Sequence, residues 1–196
     1  GNEDPPRDLT LPLQIALHPD QQSATLTLAG QQHTVKVKEW SPWFRVSFKR
    51  GFFQKISAIC RFYLKSVTPE FALYGSPLNF DPESAPYPIS FPKGYAGELA
   101  KAIGLYHTLG LPEDTWALNE ERIDEDTFLQ QCLHVHGERE QMLWHELKRW
   151  QNGVFVIVFD TVDRIQHMFW RFIDQRHPLY EAAQAARYGG VIEEWY

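Results

Sequence analysis

At 196 residues, with 43% hydrophobic residues and 28 aromatics (7 Trp, 8 Tyr and 13 Phe), the chain can bury one ordinary core or two small ones, which excludes disorder as its main state. Nineteen Lys and Arg against 25 Asp and Glu leave a formal charge of −6, which repels a phosphate backbone, and no basic tract offsets it; binding to a nucleic-acid polymer is excluded as the expected function. Cys60 and Cys132 are too few for a disulfide framework and lack the CxxC spacing of a zinc site, so a reducing, cytoplasmic setting is expected.

Residues 1–75 read as a β-rich, insertion-like domain. Leu9, Leu11, Leu13, Ile15 and Leu17 alternate with Thr10, Pro12, Gln14 and Ala16, and Ala24, Leu26 and Leu28 alternate with Thr25 and Thr27. Val35 and Val37 continue the pattern after the tight connection Gly30-Gln31-Gln32-His33. Phe44, Val46 and Phe48 follow, and then Ala58, Cys60, Phe62 and Leu64. An antiparallel sheet or small sandwich of about five to seven strands is expected, with Pro12 at an edge or bulge because it cannot donate a ladder hydrogen bond.

Residues 76–117 read as a Pro-rich connection followed by a short helix. Pro77, Pro82, Pro86, Pro88 and Pro92 exclude a regular helix, while Phe80, Tyr87, Ile89 and Phe91 are too many large apolar groups for a free linker and imply a segment pinned against a surface. Ala96 to Ile103 reads as a helix ended by Gly104, with loop from Tyr106 to Thr115.

Residues 118–196 read as an α/β segment. Phe128, Cys132, Val135, Arg139, Met142, Leu147 and Trp150 fall near one face of a helix from Asp124 to Trp150, with Gly137 as a candidate break, and Asn152-Gly153 closes it. Val154-Phe155-Val156-Ile157-Val158-Phe159 is six apolar residues without alternation, the pattern of a parallel strand covered on both faces. The fold class is therefore α+β: an antiparallel β-rich part, then an α/β segment with a buried parallel strand. No apolar run approaches the roughly 18–20 residues of a membrane helix, and no signal-peptide pattern opens the chain, so a soluble protein with no membrane segment is expected. A first residue that is Gly1 and not Met, and a helical pattern still running through residues 191–196, fit an internal piece of a longer polypeptide.

Chemistry concentrates after the apolar run, in Asp160-Thr161-Val162-Asp163-Arg164-Ile165-Gln166-His167. Ligands in open α/β sheets bind beyond the carboxyl ends of strands. If Asp163 caps a helix starting at Arg164, His167 lies one turn in on the same side, and a carboxylate with an imidazole suits Zn, Mn or Fe better than Ca. The plainer alternative is an N-cap and a partly buried helix histidine. Zinc wants three or four ligands, and the other histidines offer no local partner: His134 and His136 point to different helix faces, His145 sits among charges, and His177 precedes Pro178 in a turn. Glu113-Asp114-Thr115 reads as a helix start, Glu138 to Glu140 as a solvated face, and Phe169, Trp170, Phe172 and Ile173 as core. No Gly-rich phosphate loop, Gly-x-Ser-x-Gly elbow or Cys/His nucleophile arrangement is found.

The run Val158-Phe159-Asp160-Thr161-Val162-Asp163-Arg164-Ile165-Gln166-His167-Met168-Phe169-Trp170-Arg171 resembles a segment of the type I phosphodiesterase/nucleotide pyrophosphatase family, in the alkaline phosphatase superfamily. Leu73-Tyr74-Gly75-Ser76-Pro77-Leu78 and the stretch from Gly104 to Ala117, with Thr108-Leu109-Gly110, resemble one bacterial and archaeal branch of it, so the likeness runs from about residue 70 to the end. It implies an enzyme that uses two divalent metal ions, Zn or Mn, and a Thr or Ser nucleophile to cleave phosphodiester or pyrophosphate bonds through a covalent phospho-enzyme. In that scheme Asp163 and His167 are two ligands of one metal, while Arg164, Gln166 and Arg171 contact substrate or support the ligands. The nucleophile and remaining ligands of the family have no counterpart in these residues. The chain is then an internal fragment with no catalytic residue of its own, incomplete as a catalyst, binding metal weakly or not at all, taking a small phosphate ester as substrate, and packing on the missing parts of its full-length protein. Two alternatives stand beside this: a non-catalytic binding or regulatory module on the same scaffold, and a sulfatase or phosphomutase relative.

Overall fold

The computed structural model describes residues 9–50 and 54–196; the Gly1-Asn2-Glu3 start lies outside the described residues. The chain divides into two compact units, the first ending at Leu109 and the second starting at Gly110. That boundary falls inside the segment read as a connection. No helix among the described residues is long and apolar enough to cross a membrane.

The first unit is antiparallel β, as its period of two requires. Strands β1 (Leu13–Leu17), β2 (Ser23–Leu28) and β3 (Gln31–Lys36) form one sheet in that order, with Leu13 opposite Leu28 and Ala24 opposite Val35. The β2–β3 connection is the two-residue turn Ala29-Gly30, both at positive φ (50° and 78°), the primed geometry that matches strand twist. Pro12 lies just before edge strand β1, where no ladder bond is lost. Strands β4 (Phe44–Arg50) and β5 (Gln54–Cys60) pair along their length, β5 also pairs with β8 (Asn79–Phe80), and β6 (Phe62–Ser66) pairs with β7 (Ala72–Gly75). The alternating run from Ala58 to Leu64 is thus two strands in two sheets, divided at Arg61. That residue leaves the ladder because its guanidinium is held by the Ser41 carbonyl (3.0 Å) and lies over the Trp40 and Trp43 rings, while its backbone N–H donates to Ser76 Oγ. Leu26, Leu28, Val35, Phe44, Val46, Ala58 and Leu64 close the core between these sheets.

The Pro-rich segment is pinned as its aromatics imply. Tyr87 packs on Phe80 (ring centroids 5.0 Å), Asn79 Oδ1 accepts from the N–H groups of Thr108 and Leu109, and the Thr108 hydroxyl donates to the Phe80 carbonyl. Phe91, by contrast, is fully exposed. Helix α1 (Tyr95–Ile103) ends at Gly104, whose φ of 94° is accessible to glycine and strained for other residues.

The second unit is helical: α2 (Thr115–Asn119), α3 (Glu125–Leu147), α4 (Thr161–Phe169), a 3-10 turn (Trp170–Phe172), α5 (Ala182–Tyr188) and α6 (Val191–Glu194). Asp114 caps α2 and Asp124 caps α3, each carboxylate accepting an N–H three residues on, at 2.8 and 2.9 Å. Gly137 does not divide α3, because its neighbours Val135 and Glu138 are buried and hold that turn in place. Phe128, Phe169, Phe172 and Tyr188 form an aromatic core, joined by Ile123, Cys132 and Ile165. Trp170 and Ile173, read from sequence as core, are largely exposed.

The parallel strand expected at residues 154–159 is not formed among the described residues. The segment takes part in no sheet, and Val154, Val156 and Val158 are 91%, 76% and 67% exposed while Phe155, Ile157 and Phe159 are half-buried. The physical reason is pairing: an apolar run chooses an extended backbone, but it is buried as a central strand only if neighbouring strands supply hydrogen bonds at both edges and layers cover both faces.

Candidate metal half-site

Helix α4 positions the residues the sequence singled out. Thr161, Ile165 and Phe169 recur every four residues and are buried to 1% exposure or less, so they fix the inward stripe of the helix. Asp163 and His167 are offset by two positions, which turns them to the opposite, solvent-facing side. The helix starts earlier than expected: Asp160 occupies the N-cap position, and Asp163 lies inside the first turn as an acidic residue and not as the cap. An i,i+4 pair still results, with His167 Nε2 3.4 Å from Asp163 Oδ1.

That separation suits a shared ion. Two bonds of about 2.0–2.1 Å at a tetrahedral angle set their donor atoms about 3.3 Å apart. The other carboxylate oxygen, Asp163 Oδ2, accepts from Arg164 Nη1 at 2.6 Å, so the guanidinium orients the carboxylate and leaves Oδ1 turned toward the imidazole. Both side chains are more than half exposed, which leaves a route for an ion and also means that the bare pair contributes little to stability.

The remaining candidates part company. Arg164 stays with Asp163. Gln166 donates to the Tyr196 hydroxyl at 2.6 Å, on the exposed side of the helix. Arg171 is taken up by Glu125 at the start of α3 (2.6 Å) and lies over the Phe172 ring, so it ties α3 to the 3-10 turn. His134 pairs with Glu138 one turn on, at 3.2 Å, and His145 lies beside Glu146. His177 accepts at Nδ1 from the backbone N–H of Leu179 in a turn.

One residue with a role at this helix was not found from the sequence. Glu113, read as part of a helix start, is 1% exposed, and its Oε1 accepts the Thr161 hydroxyl at 2.7 Å. Its charge adds to burial in pushing the Cys132 thiol well above the usual range. The contact spans 48 positions, and no local pattern announces it.

In the first unit an apolar cavity of about 380 Å³ is lined by Leu11, Leu13, Leu28, Val46, Phe48 and Phe62. Its one thiol, Cys60, is pushed up to about 11 by burial, which makes it a poor nucleophile.

Comparison of the chain with protein-family models, with curated proteins and with solved structures finds no match.

Proposed function

We propose that the second unit carries half of a divalent-metal centre belonging to a phosphoester hydrolase of the type I phosphodiesterase/nucleotide pyrophosphatase kind. The observation that supports it is the 3.4 Å approach of His167 Nε2 to Asp163 Oδ1 on an open helix face, with Arg164 orienting the carboxylate. A carboxylate and an imidazole form a donor set for Zn or Mn, and the ion they hold would supply Lewis acidity toward a phosphoryl oxygen. Arg164, Gln166 and Arg171 are proposed to serve this site, Arg164 by contact and Arg171 by holding the turn that follows α4. Two ligands are fewer than a closed site requires, so the chain is proposed to act as one part of a longer hydrolase, with weak metal binding and no turnover by itself. Residues 154–159, unpaired among the described residues, support that incompleteness, because their edges and faces fit further strands of the same protein. Buried, unbridged Cys60 and Cys132 favour a reducing, cytoplasmic setting. A second reading, a non-catalytic binding module, is favoured by the apolar cavity of the first unit.

The test is a Mn2+ titration of the chain followed by NMR. Broadening centred on the His167 ring and abolished by Asp163→Ala is the expected result; broadening spread over surface carboxylates, or unchanged by that substitution, contradicts the proposal. Turnover of bis-nitrophenyl phosphate by the chain alone, lost in Asp163→Ala, would contradict the incompleteness. Saturable binding of an apolar dye in the first unit without any metal response at His167 would favour the module.

A further inference from the structure

Asp163 sits in the first turn of a nine-residue helix whose start is held in an unusual way. The N-cap residue, Asp160, makes no side-chain capping bond, its Oδ1 is buried without a hydrogen-bond partner among the described residues, and the first backbone bond, from Arg164 N–H to the Asp160 carbonyl, is long at 3.3 Å. Helix starts without a capping side chain leave N–H groups unmet and fray readily. A tie to this end of the helix comes from far along the chain. Thr161, the first helical residue, is 1% exposed and donates its hydroxyl to Oε1 of the equally buried Glu113.

Glu113 is itself immobilised. Its own carbonyl accepts from Thr115 N–H (2.9 Å), and the next residue, Asp114, caps α2 with its side chain while its N–H donates to Gln131 Oε1 of α3 at 2.8 Å. The carboxylate is therefore presented to Thr161 from a frame tied to two other helices. Ile165 and Phe169 anchor the far end of α4 by packing, so the Glu113–Thr161 hydrogen bond fixes the near end.

Resting on the half-site proposed above, we infer that Glu113 is a positioning residue for that site: through Thr161 it sets the rotation of the first turn of α4 and thereby aims Asp163 Oδ1 at His167. It touches neither ion nor substrate. Its buried carboxylate costs desolvation that packing alone does not return, which is the mark of a group kept for orientation.

Four variants separate positioning from charge and from general packing. Thr161→Val and Glu113→Met remove the hydrogen bond with little change of volume, whereas Thr161→Ser keeps the donor and Glu113→Gln keeps the acceptor without the charge. Mn2+ affinity, read at the His167 ring, is expected to fall about tenfold in the first pair, a loss typical of removing a support behind a metal ligand, and to stay within about twofold of the parent in the second pair. Amide exchange at residues 163–165 should quicken in the first pair alone, with the middle of α3 unchanged. Parent-like affinity and exchange in Thr161→Val and Glu113→Met overturn the inference, and so does a loss in Glu113→Gln equal to that in Glu113→Met, since it would make charge the cause. If the parent chain shows no Mn2+ response at His167, the metal reading fails by itself; exchange then decides the anchoring of Asp163's turn, kept by local loss of protection in the first pair and overturned by none. Should one of the first pair not fold, the other carries the comparison.

Discussion

Strand β2 and residues 154–159 are both six residues long, yet the more apolar of the two is the more exposed. β2 is SATLTL: Ala24, Leu26 and Leu28 are buried on one face, the threonines lie on the other, and β1 and β3 pair with its two edges. Residues 154–159 are VFVIVF, without a polar side chain, and among the described residues they pair with no strand and leave three valines exposed. Side-chain composition chooses the backbone conformation; neighbours at the edges decide whether the strand is buried.

Amide exchange should show the widest contrast. Central amides of β2 are expected to be protected by at least about a thousandfold, since they open only with much of the unit, while those of residues 154–159 exchange close to the unprotected rate. Comparable protection in both would mean that the apolar segment finds a partner in solution. Truncation comes next. Phe169→Ala should cost about 3–5 kcal/mol and Leu26→Ala about 2–5 kcal/mol in urea unfolding, both side chains being fully buried, against under about 0.5 kcal/mol for Val156→Ala. A large cost at Val156 would break the comparison. A smaller effect is expected on association: Val156→Lys should lower concentration-dependent light scattering without moving the unfolding midpoint, because it places a charge on an exposed apolar segment.

The last effect is alkaline. Burial holds the Cys60 thiol protonated in the folded chain up to about 11, whereas an unfolded thiol ionises near 8.5. The folded state keeps its proton longer, so this contribution to stability is whole below about pH 8.5 and is lost as pH rises toward 11. Stability that falls over that range in the parent and is flatter in Cys60→Ala checks the sign.

Much of the fold was legible because it is local. Alternation marked β1 to β5, the Pro cluster excluded helix from residues 76–92, and Asp124 and Gly104 punctuated α3 and α1. The break at Arg61 was not legible, since its cause is a guanidinium held by Ser41 and two tryptophans distant in sequence. At the candidate half-site, the i,i+4 spacing of Asp163 and His167 was visible at once, and a helix start misplaced by three residues left their shared face intact. Glu113 was invisible for the opposite reason: its partner lies 48 positions on, and a buried acid has the same letter as a solvated one.

The central claim, that Asp163 and His167 grip one ion, is tested most directly by Zn2+ affinities in a double-mutant cycle of Asp163→Ala and His167→Ala. Ligands of one ion are coupled, so the double variant should bind little more weakly than either single one, with an interaction energy of roughly 1 kcal/mol or more. Losses that simply add, or single substitutions that leave Zn2+ affinity unchanged, would show that the two side chains are neighbours on a helix and nothing more.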